Sequence, residues 1–247
     1  MVQLVGILNV TPDSFSDGGE FLNPVAAIKQ AEHLFNDGAS LVDIGAESTR
    51  PNAEVLSDEL EWARLEPILT DLIPRYPSKI SLDTYHPATI RKAWKIGPVI
   101  INDVTGFNNP DMTKTVALLQ ATVIVSHFPN GMTIQQAHKA IPVTSVEQVK
   151  DDLLARAKEL ENAGLSRDQI ILDPGIGFGK TPEVNELLLS FASLVPQYKV
   201  MIGYSRKRFL GENRMELATN LEAGKIAVES GAAYLRVHDV AGHNLLA

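Results

Sequence analysis

Residues 79–104 read KISLDTYHPATIRKAWKIGPVIINDV, and this stretch decides the fold. A short β-branched run, KISLDT (79–84), stops on Asp83-Thr84. Pro87 then opens a segment of helical period over 87–96, a position where the missing N–H of proline sacrifices no intrahelical bond. A second β-branched run, VIINDV (99–104), follows and carries Asn102-Asp103. Strand, helix and strand in immediate succession predict a parallel pair joined by a crossover helix.

The same unit recurs in both directions. Strands are predicted at 4–10 (LVGILNV), 41–46 (LVDIGA), 122–127 (TVIVSH), 169–174 (QIILDP), 199–204 (KVMIGY) and 233–238 (AYLRVH). Helical period appears over 25–37, 57–75, 110–120, 145–163, 182–194 and 217–230. Ser57 and Ser145 suit N-caps, Pro110 and Pro182 first turns, and Gly38 and Gly164 helix ends. Eight strands, each followed by a helix except the last, predict an α/β fold, a (β/α)8 TIM barrel, as one domain over 1–247. An open doubly wound sheet is the competing architecture. It would place a glycine-rich turn after the first strand, where this chain has Asn9-Val10-Thr11-Pro12-Asp13. Only residues 239–247 follow the last strand, so the eighth helix is expected to be shortened or missing. Either helices seven and one close over the seam, or a partner chain or absent residues cover it; cover from absent residues or a partner is the expectation, with a homodimer as one form of it.

Composition narrows the function classes. The chain has 247 residues, a net charge of −8 and no cysteine. Disulfides and thiolate chemistry are excluded, and no basic cluster points to nucleic acid. No apolar run is long enough to span a membrane, and the first residues carry no basic segment followed by an apolar one. A cytoplasmic enzyme of small molecules, with no nucleic-acid or membrane partner, is the expectation.

What terminates each strand is the informative pattern. The runs stop at Asn9, lead into Glu47-Ser48-Thr49-Arg50-Pro51, and stop again at Asp83, Asn102-Asp103, Ser126-His127 and Asp173-Pro174-Gly175. The last two lead to Ser205-Arg206-Lys207 and Arg236-Val237-His238-Asp239. Each alone has an ordinary explanation. Asp83 could cap a helix, Asn102 could satisfy a loop, His127 could be a packed histidine, Lys207 a solvated lysine and Arg50 a turn residue. Polar ends on all eight strands outweigh these, because barrel enzymes work at the carboxyl ends of their strands. Asp83, Asn102 and Asp173 suit a heterocycle bearing adjacent N–H groups. Arg236, His238 and Asn9, on strands that adjoin in a closed barrel, suit a polyphosphate with a hard metal ion. Gly175-Ile176-Gly177-Phe178-Gly179-Lys180 looks like a phosphate loop, but its spacing is not that of a Walker A sequence.

Taken together, GILNVTPDSFSDGG (6–19), ESTRP (47–51), SLDT (81–84), IIND (100–103), LDPGIGFGK (172–180), SRK (205–207) and RVHDV (236–240) resemble the dihydropteroate synthase family over nearly the whole chain. The resemblance implies a transferase of folate synthesis. Its substrates would be 6-hydroxymethyl-7,8-dihydropterin pyrophosphate and 4-aminobenzoate, with Mg2+ accompanying the pyrophosphate. It implies that Asp83, Asn102, Asp173 and Lys207 contact the pterin, with Asp83, Asp173 and Lys207 catalytic. Asn9 would ligate the metal, and Arg236 and His238 would hold pyrophosphate. Thr49, Arg50, Pro51 and Phe178 would frame the aminobenzoate. Residues 10–21 and 47–56 match two loops that close over the site in this family. Ser126-His127-Phe128 departs from the Met-His-Met of many members and removes a thioether from the expected pterin floor. A methyltransferase acting on methyltetrahydrofolate and a non-catalytic pterin-binding homologue are the alternative readings.

Overall fold

The computed structural model of the chain describes residues 1–11, 23–47, 55–129, 132, 136 and 143–247. Eight parallel strands close into a barrel in sequential order. They are β1 (Gln3–Asn9), β2 (Leu41–Gly45), β3 (Ile80–Asp83), β4 (Ile100–Asp103), β5 (Val123–Ser126), β6 (Ile170–Asp173), β7 (Lys199–Ile202) and β8 (Tyr234–Val237). The surrounding helices are α1 (Pro24–Asn36), α2 (Asp58–Arg75), α3 (Pro87–Ile96), α4 (Pro110–Leu119), α5 (Val146–Asn162), α6 (Pro182–Leu187), α7 (Leu217–Glu229) and α8 (Val240–His243).

Local chemistry sets the helix limits. Ser57 and Ser145 accept the Leu60 and Gln148 N–H groups at 3.3 Å, each satisfying a donor that the first turn leaves unpaired. Gly38 and Gly164, at φ 105° and 111°, take the left-handed turn just past α1 and α5. The helix expected over 182–194 is α-helical only to Leu187 and continues as a 3-10 helix over Leu188–Leu194. Leu188 and Phe191 are fully buried three positions apart, the spacing that a three-residue turn stacks on one face.

Alternation along the strands divides the core in two. Val5, Leu41, Ile124, Ile171 and Met201 pack together inside the barrel. Their strand neighbours Leu4, Val42, Val123, Ile170 and Val200 belong to the larger core shared with the helices. The barrel interior is therefore plugged by apolar side chains below its carboxyl end, and both faces of every strand are covered.

At the seam beyond β8 the chain's own last residues supply part of the cover expected chiefly from absent residues or a partner. Val240 and His243 are buried, Leu246 packs partly buried on the core, and Asn244 Nδ2 donates to the Asp37 carbonyl at 2.8 Å. Leu246 fits because Gly224 on α7 has no side chain. A Cβ there would sit 2.6 Å from Leu246 Cδ1 and would also overlap the Tyr204 hydroxyl. Leu245 points the other way and is 86% exposed. Gly224→Val should therefore lower stability by about 1–3 kcal/mol, as overpacking does, despite the better helix propensity of valine over glycine. The urea midpoint measures this, and an unchanged midpoint would mean that Tyr204 and Leu246 do not close on α7.

Candidate active site

Strand parity builds the site. Two residues beyond the apolar plug, the same inward rows carry Ile7 after Val5, Asp43 after Leu41, Ser126 after Ile124, Asp173 after Ile171 and Gly203 after Met201. Ile100 and Tyr234 also pack against the plug, and two residues on from them lie Asn102 and Arg236. Register aligns the next level: Asn9 pairs with Gly45, Gly45 with Asp83, and Asp83 with Asn102. The result is a cavity of about 170 Å³ at the carboxyl end of the barrel. Asn9, Asp43, Asp83, Phe178, Lys207, Arg236 and His238 line it.

Asp43 and Arg236 sit at the centre of a buried polar network. Asp43 accepts hydrogen bonds from Ser81 Oγ at 2.6 Å, Asn102 Nδ2 at 2.8 Å and Arg236 NH1 at 3.2 Å. Arg236 NH2 lies 3.3 Å from Asp173 Oδ2. Gly203 makes room for this guanidinium, since a Cβ there would stand 3.0 Å from NH2. Asp173 Oδ1 accepts the Gly175 N–H at 2.8 Å. Among the described residues two deeply buried oxygens of this network accept no hydrogen bond, Asn102 Oδ1 and Asp173 Oδ2, the latter facing only the Arg236 guanidinium, on residues each 1% exposed. Because Asn102 gives its N–H to Asp43, its oxygen is left for a ligand that donates.

Electrostatics follow from this crowding. Burial, reinforced by the neighbouring Asp43 charge, raises the Asp83 carboxyl well above the usual aspartate range, with Arg236 opposing. Burial lowers Lys207 to about 8, with Asp173 opposing. Lys207 Nζ donates to the Ile176 carbonyl and lies 5.3 Å from the centre of the Phe178 ring. His238 Nδ1 is 3.0 Å from Ser205 Oγ, which also accepts the His238 N–H.

Of the residues singled out in the sequence, Asn9, Asp83, Asn102, Asp173, Phe178, Lys207, Arg236 and His238 converge on this one cavity and the polar network beneath it. Thr49, Arg50 and Pro51 lie outside the described residues, as does most of 10–21 and 47–56. Asp83 does not cap α3, whose N-cap is His86. His127 is a packed histidine: its Nε2 lies 3.3 Å from Asp152 Oδ2, and burial lowers its pKa to about 3. Phe128 packs with Val104, Tyr85, Met132 and Phe178, so an apolar floor forms beside the cavity and includes a thioether, that of Met132. Asp43 is the residue that strand-end reasoning missed. Its signal was parity: it stands two before Gly45 in LVDIGA, in an otherwise apolar strand.

Comparison with known proteins gives one consistent result. The family described as "Pterin binding enzyme" matches residues 5–238. The dihydropteroate synthase of Escherichia coli (strain K12) is 36% identical over 96% of this chain and 86% of its own. Among solved structures, Xanthomonas albilineans dihydropteroate synthase with 4-aminobenzoic acid superposes with a TM-score of 0.88 at 36% identity, covering 99% of this chain and 90% of that one. Yersinia pestis dihydropteroate synthase in a sulfonamide complex gives 0.89 at 31%, covering 99% and 91%.

The raised Asp83 carboxyl carries a stability cost with a definite sign. The folded chain holds the Asp83 proton more tightly than the unfolded chain, so ionising it weakens the fold as pH rises above the ordinary aspartate range. Asp83→Asn removes that cost. It should stabilise the ligand-free protein by about 1 kcal/mol at neutral pH, the scale of relief typical at functional sites, with the gain vanishing at acid pH. Urea titrations of both proteins from acid to neutral pH provide the check. A variant less stable than the parent at neutral pH would mean that ionised Asp83 supports the fold.

Proposed function

The chain belongs to the dihydropteroate synthase family of pterin-binding enzymes, and we infer that it joins 6-hydroxymethyl-7,8-dihydropterin pyrophosphate to 4-aminobenzoate, releasing pyrophosphate and forming 7,8-dihydropteroate. The observation that carries this reading is the buried Asn102 Oδ1, which accepts no hydrogen bond among the described residues and lies beside the carboxyls of Asp83 and Asp173. A buried acceptor left unpaired costs stability, so such a set is retained for a ligand that brings its own donors. The aminopyrimidinone edge of a pterin brings several N–H groups together.

In the reaction the bond between the pterin methylene carbon and the pyrophosphate oxygen breaks, and its electron pair leaves with pyrophosphate. The aminobenzoate nitrogen forms the new bond to that carbon and then loses a proton. Positive charge develops on the pterin, where Asp83 and Asp173 stabilise it. Negative charge develops on the leaving group, where Arg236 and His238 receive it. Lys207, assigned to the pterin, contributes a cation beside Phe178, the ring assigned to the aminobenzoate. Exclusion of water keeps the methylene carbon for the weakly nucleophilic amine.

The donor set fits Mg2+ carried in by the pyrophosphate rather than held in a protein cage. Asn9 offers a neutral side-chain oxygen at the cavity edge, and among the described residues no three acidic or histidine side chains form a metal cluster. Mg2+ takes one or two protein ligands and completes its shell with phosphate oxygens and water. Bound there, it would neutralise charge on the departing pyrophosphate. Among the described residues no helix is long and apolar enough to cross a membrane.

Incubation with both substrates should yield 7,8-dihydropteroate and pyrophosphate. Pterin binding without product would instead favour the non-catalytic homologue, and methyl transfer from methyltetrahydrofolate the other rival. Arg236→Ala should reduce turnover by ~100-fold or more, as does loss of one preorganised donor to a developing anion. Arg236→Lys, which keeps the charge but loses the fork that spans Asp43 and Asp173, should fall between the two. Near-parental turnover of a folded Arg236→Ala protein would refute the role.

A further inference from the structure

The glycine-rich turn after β6, residues 175–180, is not explained by the proposed reaction alone. A loop that cradles phosphate aims N–H groups outward at an anion. Here three of those N–H groups are already engaged. Gly175 N donates to Asp173 Oδ1 at 2.8 Å, Gly177 N to Asn185 Oδ1 at 2.7 Å, and Phe178 N to the Gly175 carbonyl at 3.1 Å. Two of its carbonyls turn inward, onto the ammonium of Lys180, while Gly179 O accepts the Val143 N–H and Ile176 O faces Lys207. Lys180 Nζ donates to Gly175 O at 2.8 Å, Phe178 O at 3.0 Å and His127 O at 3.4 Å, and the residue is only 8% exposed. The loop is an arch closed around an internal cation, the reverse polarity of a phosphate cradle.

The glycines are what the arch requires. Gly175, Gly177 and Gly179 all lie at positive φ, 63°, 91° and 60°. A Cβ on Gly175 would also overlap the His127 carbonyl oxygen. Asn185, 5% exposed, closes the far side: besides accepting from Gly177 it donates to the Lys180 carbonyl at 3.3 Å. The outer side of the arch holds two of the groups that line the cavity. Phe178 projects from it, and its Ile176 carbonyl receives Lys207 Nζ. Burial of so compact a charge, with Lys207 nearby, lowers Lys180 to about 7, yet its three acceptors are all neutral carbonyls.

We propose that Lys180 is a positioning residue: its ammonium, clamped by three carbonyls and backed by Asn185, holds the 175–179 arch in the one shape that sets Phe178 at the aminobenzoate end of the cavity. The proposal rests on the assignment of Phe178 to aminobenzoate. At the pterin end Asp43, Asp83 and Asn102 are held by β2, β3 and β4, away from the arch, and of that set Asp173 alone touches it, through the Gly175 N–H. Loss of the clamp thus acts on one substrate more than on the other.

The test compares the parent chain with Lys180→Met and Asn185→Ala. With Lys180→Met the KM for 4-aminobenzoate should rise ~10-fold or more, a modest share of what a 1 Å misplacement can cost. The KM for the pterin pyrophosphate should stay within about 3-fold, on the same scale of displacement. Asn185→Ala should give the same split in smaller measure, and decides the matter if Lys180→Met does not fold. Equal rises in both constants, or a lower Tm with both constants unchanged, would overturn the proposal. Amide hydrogen exchange at Gly177 and Phe178 is read in parallel and needs no activity. Faster exchange in Lys180→Met supports the clamp and unchanged protection overturns it, even if the parent forms no product and the proposed reaction itself fails.

Discussion

A guanidinium between two carboxylates inside the barrel is the constraint on which the rest of the structure depends. Arg236 lies 3.2 Å from Asp43 and 3.3 Å from Asp173, with Asp83 close enough for its charge to be felt. Three acidic side chains facing one interior would repel one another without that cation. Burial works against the arginine charge, but Asp173, Asp43 and Asp83 outweigh it and hold its pKa above the ordinary value. Such a buried cluster adds little net stability, because desolvation consumes most of the attraction. What it does is fix geometry. Asp43 holds the Asn102 amide in one orientation, and Arg236 occupies the space that Gly203 leaves open.

The polar cluster is affordable because the apolar layers below and around it are complete. Val5, Leu41, Ile124, Ile171 and Met201 seal the interior beneath the site, and the outward rows pack under the helices. Function and stability thus share every strand by parity and by height. A substitution two positions along a strand moves from the plug to the chemistry, as Leu41 to Asp43 or Met201 to Gly203 does. This explains why residues remote in sequence, such as Asp43 and Arg236, meet without any dedicated binding element.

The arch of residues 175–179 shows a second economy. Two inward carbonyls of a tight glycine turn, Gly175 O and Phe178 O, receive a lysine from the end of the same turn, Gly175 O accepting the Phe178 N–H as well. The segment is consequently rigid in the place where the cavity needs a fixed aromatic ring. A loop of this composition has two opposite polarities open to it, N–H groups outward or carbonyls inward. Asn185, Asp173 and Lys180 select the second.

The alternation of β-branched runs with helical segments, the caps Ser57 and Ser145 and the polar residues ending each run determined the closed barrel and most of its site from sequence alone. Local propensity and side-chain period are short-range properties, and a parallel barrel made of repeated units follows from them. Asn9, Asp83, Asn102, Asp173, Lys207, Arg236 and His238 were legible because each stands in the last residues of a strand or in the turn that follows it, where barrel geometry forces convergence. Asp43 was not, because its role depends on which face of β2 turns inward and on the residues opposite. Register across four strands decides that. Nor could sequence show that Gly175–Lys180 closes on an ammonium: the glycines permit positive φ without fixing which polar groups point inward. The cover over the last seam was likewise a tertiary matter. Leu246 packs partly buried against the core because Gly224, distant in the chain, has no side chain to exclude it. Contacts across the chain, and the volume that one side chain lacks, are fixed only when the chain has closed on itself.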